Sequence, residues 1–125
     1  MKYLILSFTI AALFLTACST TSAVPATPTL NAFEAQGKQV YVSHCAGCHA
    51  LEPGTIVIGP SLAGVATRAE TRVNGDDARA YIETSILNPS AYVVDGFKDV
   101  MPKNFGKDLT SDDFNAIVSF LLTLK

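Results

Sequence analysis

The sequence lacks several features that would place it in a common class of protein. It has only three cysteines in 125 residues, and the two that are close together would close too small a loop for a stabilising disulfide. It has no basic run and a formal net charge of −2, which argues against a nucleic-acid partner, because phosphate binding requires clustered lysine and arginine. It has no apolar run long enough to span a bilayer as a helix. Two histidines, two methionines and no tryptophan leave few side chains for metal or cofactor chemistry.

The N-terminus has the pattern of an exported protein. A basic start at Lys2 precedes an apolar segment, residues 4–15, and small residues lead from it to Cys18. This resembles a bacterial lipoprotein signal, which predicts cleavage of residues 1–17 and a lipid on Cys18. The alternatives are an ordinary secretory signal with an incidental cysteine and an uncleaved anchor. We therefore expect an exported protein, lipid-anchored to the outer face of the cytoplasmic membrane, or to the outer membrane, since Ser19 is not the aspartate that retains many such lipoproteins.

The rest of the chain divides into two parts. Residues 18–32 are small, polar and proline-containing, which predicts a flexible tether that follows the lipidated cysteine. Residues 33–125 are enough for one domain.

Helical patterns dominate the predicted domain. Helical spacing of apolar residues predicts a first helix that runs into Cys45 and a short helical turn over residues 62–68. Asn74 is a candidate cap for a second long helix, which ends before Pro89, and Thr110 is a candidate cap for the last helix. No strand pair or repeat is evident, so the sequence predicts an all-α fold with three main helices.

The pattern Cys45-Ala46-Gly47-Cys48-His49 is typical of c-type haem attachment. A haem carries two vinyl groups, and two thiols three residues apart can each form a thioether with one of them. The next residue then lies under the ring, where an imidazole can reach the iron. The motif predicts one covalent haem c, held by Cys45 and Cys48, with His49 as a metal ligand.

Few side chains are available as a second axial ligand. Once the signal peptide is removed, Met101 is the only methionine, and it lies 52 residues after His49 in a proline-fixed loop. Histidine with methionine is a common haem ligand pair for electron transfer, so we predict Met101 as the second metal ligand. A methionine that fills a gap in the core is the alternative, and Tyr92 or a lysine is a weaker candidate ligand. His44 directly precedes Cys45 on the proximal side of the ring, and we assign it no ligand role.

Residues 33–125 resemble a small class I cytochrome c domain, and the whole chain resembles a monohaem cytochrome c lipoprotein. The attachment motif and the Met-Pro pair at Met101 carry the resemblance, together with Gly37 and Tyr41 in the first helix and Phe120 in the last. The resemblance implies three main helices plus loops wrapped around one covalently attached haem. It also implies that the first and last helices cross closely at Gly37.

The resemblance implies a hydrogen-bond partner for His49 as well. In the family, the carbonyl of a proline in a Gly-Pro pair accepts a hydrogen bond from the proximal imidazole, and Pro60 occupies that place here. The propionate-binding tryptophan of mitochondrial relatives is missing. Arg68, Arg72 and Arg79 are candidates for neutralising the propionates, and solvated surface charges are the alternative for each.

The resemblance implies that the protein carries single electrons and is not an enzyme. Two axial ligands would leave no position on the iron for a small-molecule substrate. Expected partners are redox proteins of respiratory or photosynthetic membranes, such as a quinol-oxidising complex or a terminal oxidase. The carrier would be a tethered shuttle or a haem subunit of such a complex. A thiol-disulfide redox lipoprotein using Cys45 and Cys48 is the main alternative, although the βαβ pattern typical of that chemistry is not evident. A zinc module is weaker, because the available ligands crowd into residues 44–49.

Overall fold

The structure is a computed structural model that describes residues 29–125. The signal peptide predicted for residues 1–17, the predicted lipid site at Cys18 and most of the predicted tether lie outside these residues. The described helices are α1 (Ala32–His44), α2 (Val65–Ala69), α3 (Ala78–Leu87), a 3₁₀ helix (Pro89–Ala91), α4 (Phe105–Asp108) and α5 (Ser111–Leu122).

The described part of the chain is all-α, as predicted. Its only β contact is a single bridge between His49 and Ile56. Three of the helices, α1, α3 and α5, have ten or more residues. None of the helices in residues 29–125 is long and apolar enough to cross a membrane.

Helix α1 begins with a complete capping box. The Asn31 side chain accepts hydrogen bonds from the backbone N–H groups of Phe33 and Glu34, both at 2.9 Å. The Glu34 carboxylate in turn accepts from the Asn31 N–H at 2.8 Å, so three otherwise unpaired N–H donors at the helix start are satisfied. The cap lies within residues 18–32, and the helix therefore begins before the predicted domain boundary at residue 33.

Helix α3 begins later than its sequence pattern predicted. The cap is Asp77, whose carboxylate accepts from the Ala80 N–H at 2.8 Å, and the prediction of Asn74 as the cap is wrong. Gly75 explains the difference, since its φ of +94° turns the chain away from helical geometry directly after Asn74. The helix ends at Leu87, before Pro89, as predicted.

Helix α5 begins where the sequence predicted. Thr110 caps it by accepting a hydrogen bond from the Asp113 N–H at 3.1 Å. The Asp113 carboxylate accepts from the Thr110 hydroxyl at 2.8 Å and from the Gln36 side-chain amide at 3.1 Å. Because Gln36 belongs to α1, this carboxylate joins the start of α5 to the first helix.

The crossing of α1 and α5 is the most extensive helix contact of the fold. At Gly37 a Cβ atom would collide with the Ala116 carbonyl oxygen and would lie 2.8 Å from the Phe120 Cβ. The rings of Tyr41 and Phe120 pack beside the crossing, with centroids 5.9 Å apart and planes at 45°. The close crossing predicted at Gly37 is therefore confirmed, and its cause is the absence of a side chain.

The core is built around α5, which packs against α1, α2 and α3. Among residues 29–125 no polar or charged residue falls in the buried class. The large buried side chains are Val40, Tyr41, Tyr81, Ile82, Ile86, Phe105, Ile117, Val118, Phe120 and Leu121. The four-residue helix α4 carries Phe105 into this core, and it is too short for apolar periodicity to have predicted it.

Candidate functional site

The Cys45–His49 motif forms one tight turn at the end of α1. Cys45 is the C-terminal cap of the helix, and its N–H donates to the Tyr41 carbonyl at 2.8 Å. The Cys45 carbonyl then accepts from the N–H groups of Cys48 and His49 at 3.0 and 2.9 Å. The turn therefore brings both thiols and the imidazole to the same end of the helix.

The His49 ring is held by the loop that follows it. His49 Nδ1 lies 2.8 Å from the Pro60 carbonyl oxygen, and since a carbonyl only accepts, Nδ1 carries the proton. A Cβ on Gly59 would lie 2.8 Å from Nδ1 and 3.0 Å from Nε2, so only glycine allows the loop to pack on the ring. The N–H groups of Ile58 and Gly59 donate to the Cys48 carbonyl at 3.2 and 2.9 Å, which fixes the loop to the motif. The hydrogen bond that the resemblance implied for Pro60 is present.

A second contact to His49 was not foreseen from the sequence. The Tyr41 hydroxyl donates to the His49 carbonyl oxygen at 2.6 Å. Burial raises the pKa of this phenol, and the nearby charges of Glu52 and Cys45 raise it further, so the hydroxyl remains protonated and able to donate at neutral pH. The contact joins the end of α1 to the turn that follows it, and no sequence pattern predicts it.

The turn opens onto an apolar cleft. Cys45, Cys48, His49, Pro60 and Met101 all line it, so the structure brings together the five residues that the sequence predicted for the haem site. Most of the remaining lining is aliphatic or aromatic: Ile58, Leu62, Val65, Ala69, Tyr81, Ile82, Ile86, Tyr92, Val93, Val94, Phe97, Val100, Phe105, Leu109, Ile117 and Leu121. A mostly apolar cleft with a smaller number of polar side chains suits a large hydrophobic ligand.

Met101 is half-buried and packs against the core from the irregular segment between the 3₁₀ helix and α4. Two residues before it, the Asp99 carboxylate accepts from the Ser90 hydroxyl at 2.9 Å and from Lys103 Nζ at 3.0 Å. These bonds hold the pKa of Asp99 below its usual range. The loop that carries the methionine is therefore closed by a charged network that the sequence did not reveal.

The three candidate arginines have different surroundings. Arg79 pairs with Glu83 at 3.1 Å on the exposed side of α3 and does not line the cleft. Arg68 lines the cleft, but one of its nitrogens donates to the Ser61 carbonyl at 2.8 Å, which holds the loop after Pro60. Arg72 also lines the cleft, and its guanidinium makes no hydrogen bond or ion pair with another residue in 29–125. The structure favours Arg72 among the three as a partner for an anionic group in the cleft.

The cysteines are poorly placed for thiol-disulfide exchange. Neither Cys45 nor Cys48 is in a disulfide, and burial together with the charge of Cys48 raises the pKa of the Cys45 thiol to about 11. Redox-active thiols have the opposite property, a lowered pKa, often because they lie at a helix N-terminus. Cys45 lies at a helix C-terminus, where the helix dipole disfavours a thiolate.

A metal cluster made from protein side chains is also not found in the described residues. No three histidine, cysteine, aspartate or glutamate side chains in 29–125 come together as a possible metal site. The zinc module that the sequence left open has no cluster to support it in this part of the chain.

Comparison with known families agrees with the geometry of the cleft. The family described as Cytochrome c matches residues 34–125. The chain belongs to the cytochrome c family. Members of this family are electron carriers with covalently bound haem c, and their domains are typically exported. No curated protein matches the sequence of this cytochrome c.

The site of this cytochrome c fits the covalent haem that the family binds. The two cysteines of the motif are free to form thioethers, and Gly59 with Pro60 holds the imidazole in one orientation at the cleft wall. The cleft lining is mostly apolar and includes Arg72, whose guanidinium has no partner among the described residues. The predictions of an all-α fold and of one haem c are confirmed.

Proposed function

We propose that this cytochrome c is a membrane-anchored carrier of single electrons, in which His49 and Met101 would be the two protein ligands of the haem iron. The observation that carries the proposal is that Met101 lines the same apolar cleft as the motif, while the Pro60 carbonyl holds His49 Nδ1. When bound, the haem supplies a one-electron ferric/ferrous couple. The protein supplies attachment, ligands and surroundings.

The residues of the motif would attach the haem and orient its histidine ligand. Cys45 and Cys48 would hold the haem through thioether bonds. Because the proton of His49 is on Nδ1, the lone pair of Nε2 is available to a metal. The hydrogen bond to Pro60 makes the imidazole a stronger donor and fixes its rotation, and Gly59 packs against the ring face.

Met101 would supply the second ligand, a soft neutral thioether that is half-buried against the apolar core. A thioether stabilises ferrous iron relative to ferric iron, and an apolar lining disfavours the extra positive charge of the oxidised state. Both effects raise the reduction potential. If both side chains ligate the metal, no position would be left for a substrate, which supports a carrier rather than an enzyme.

The edge of the site near the cysteines is where we expect electrons to enter and leave. Cys45 and Cys48 are each partly exposed, and residues 56–58 beside them carry three exposed apolar side chains, 52–67 % accessible. Redox partners bind over small interfaces, which permits rapid exchange. Candidate partners are a quinol-oxidising complex and a terminal oxidase of a respiratory or photosynthetic membrane.

We further propose that a lipid on Cys18 confines the carrier to a membrane surface, after removal of residues 1–17. A dozen extended tether residues would reach roughly 35–40 Å at about 3.1 Å per residue. Anchoring raises the effective concentration of the domain near membrane complexes. The outer face of the cytoplasmic membrane is the proposed location, either as a tethered shuttle or as a haem subunit of a complex.

The test of ligation is an optical and electrochemical comparison of the haem protein with Met101→Ala. We expect the variant to keep covalent haem, to have a lower reduction potential and to bind added imidazole. Asp95→Asn is the control, because Asp95 lies in the same irregular segment, is exposed and does not line the cleft. An unchanged potential in Met101→Ala would reject Met101 as ligand, and free thiols without haem in the wild type would favour the thiol-redox alternative.

The test of anchoring is membrane fractionation of Cys18→Ser, with Ser19→Ala as the control at the next position. We expect Cys18→Ser to appear in the soluble fraction with its haem, and Ser19→Ala to stay with the membrane. A Cys18→Ser protein that remains membrane-bound would contradict the lipid anchor and indicate subunit contacts or an uncleaved signal.

A further inference from the structure

One carboxylate oxygen closes the loop around Met101. Asp99 Oδ2 accepts from Lys103 Nζ at 3.0 Å, so the residues two before and two after the methionine are joined. The same oxygen accepts from the Ser90 hydroxyl at 2.9 Å, and Ser90 belongs to the 3₁₀ helix that follows α3. The loop is thereby closed on itself and fastened to the end of a long helix.

We propose that Asp99 is a positioning residue that holds Met101 on the iron by closing residues 99–103 and fastening them to Ser90. This inference rests on the proposed ligation by Met101. Asp99 also lines the cleft, but its carboxylate is bonded to Ser90 and Lys103, so we assign it no ligand role and it acts through the loop.

The loop has few other restraints. The backbone N–H groups of residues 99–103 make one hydrogen bond within the described chain, from Val100 to the Lys98 carbonyl at 2.9 Å. Pro102 has no N–H to donate. Met101 itself is half-buried against the core, but its neighbours Val100 and Pro102 are exposed. The side-chain bonds of Asp99 are therefore the main polar restraint on the segment that presents the sulfur.

The energetic consequence is expected to be local. Asp99 and Lys103 keep side-chain exposures of 38 % and 59 %, and exposed ion pairs contribute little to global stability. Bonds of this strength can still shift a local equilibrium, in which only the loop opens and the methionine would leave the metal. The readout must therefore report ligand detachment rather than global unfolding.

The experiment is a titration of the ferric haem protein with imidazole, which binds the iron when the methionine is displaced. We expect Asp99→Asn to bind imidazole about threefold more tightly than the wild type, and Ser90→Ala to change in the same direction. Asp95→Asn is the matched control. It removes one negative charge from the same irregular segment, and Asp95 makes no side-chain hydrogen bond to another residue in 29–125.

A double substitution separates positioning from a general structural effect. In a Met101→Ala background, Asp99→Asn should no longer change the imidazole affinity, because the ligand that it positions is gone. The urea midpoints of Asp99→Asn and Asp95→Asn should be similar, since the bonds lost are exposed. A persistent Asp99 effect in the Met101→Ala background would overturn the proposal.

Two failures remain distinguishable. If Met101→Ala alone leaves the imidazole affinity unchanged, the ligation proposal is wrong and the positioning proposal falls with it. If Met101→Ala raises the affinity while Asp99→Asn matches Asp95→Asn, Met101 is the ligand and Asp99 has no positioning role.

Discussion

Tyr41 donates a 2.6 Å hydrogen bond to the carbonyl oxygen of His49, and the same ring packs against Phe120 at the crossing of α1 and α5. One side chain therefore connects the largest helix contact of the fold to the turn that carries His49, the proposed haem ligand. The position of His49 depends on the helix crossing through Tyr41 and on the following loop through Pro60.

Tyr41→Phe removes the hydroxyl and keeps the ring. We expect the free energy of unfolding to fall by about 1 kcal/mol, because the partly buried His49 carbonyl loses its donor while the packing on Phe120 is unchanged. Urea denaturation of the haem protein measures this. Tyr81→Phe is the control, since the Tyr81 hydroxyl makes no hydrogen bond to another described residue. Equal midpoints for the two variants would contradict the assigned role.

Gly37→Ala tests the helix crossing. Alanine favours a helix over glycine by about 1 kcal/mol, but here its Cβ would collide with the Ala116 carbonyl oxygen. We expect a net loss of about 1–3 kcal/mol in the free energy of unfolding, because α1 and α5 must move apart. Gly106→Ala, in α4, is the matched control, since its Cβ would meet only the Leu87 side chain at 3.4 Å. A Gly37→Ala protein as stable as the wild type would show that the crossing tolerates a side chain.

Gly59→Ala tests the support of the imidazole. The added Cβ would lie 2.8 Å from His49 Nδ1, so the ring must rotate or the loop must move, and the bond to Pro60 is lost. We expect a smaller low-spin fraction in the optical spectrum and a changed reduction potential. Gly47→Ala is the control, because a Cβ there meets no protein atom within 4 Å. Wild-type spectra for both variants would show that Gly59 does not constrain the ring.

Asp113→Asn tests the link between α1 and α5 through its pH dependence. Hydrogen bonds from Thr110 and Gln36 hold the pKa of Asp113 below its ordinary value. Its contribution to stability is therefore present above the unfolded pKa, about 3.9, and is lost as the pH falls through the lower folded pKa. Between about pH 6 and pH 3 the wild type should lose stability more steeply than Asp113→Asn.

The control for this pH profile is Asp112→Asn. Asp112 lies in the same first turn of α5 and makes no side-chain hydrogen bond to another residue in 29–125. Its variant should keep the wild-type slope in denaturation curves measured across the same pH range. If the stability of Asp112→Asn depends on pH as weakly as that of Asp113→Asn, the effect is due to net charge alone.

Local patterns and the family resemblance predicted the main helices and five of the residues that line the cleft. Apolar spacing and the cap at Thr110 identified α5, and the motif after α1 identified the haem site. The prediction of Asn74 as a cap was wrong because a capping residue and a turn residue look alike until the backbone conformation of Gly75 is known. Helix α4 was missed because four residues hold too little periodicity.

The sequence by itself determined the haem attachment site, because its residues lie at a fixed short spacing. Two cysteines and a histidine on one turn specify haem c, since that spacing is set by chain geometry and needs no distant partner. What only the tertiary structure decided is which groups from different loops and helices meet. The contacts of Tyr41 and Gly59 with His49, of Asp99 with Ser90, and of Arg68 with Ser61 join residues seven to ten positions apart, in no fixed helical or strand spacing. Such contacts follow from packing of the whole domain around its core, and residue order alone does not encode them in any local pattern.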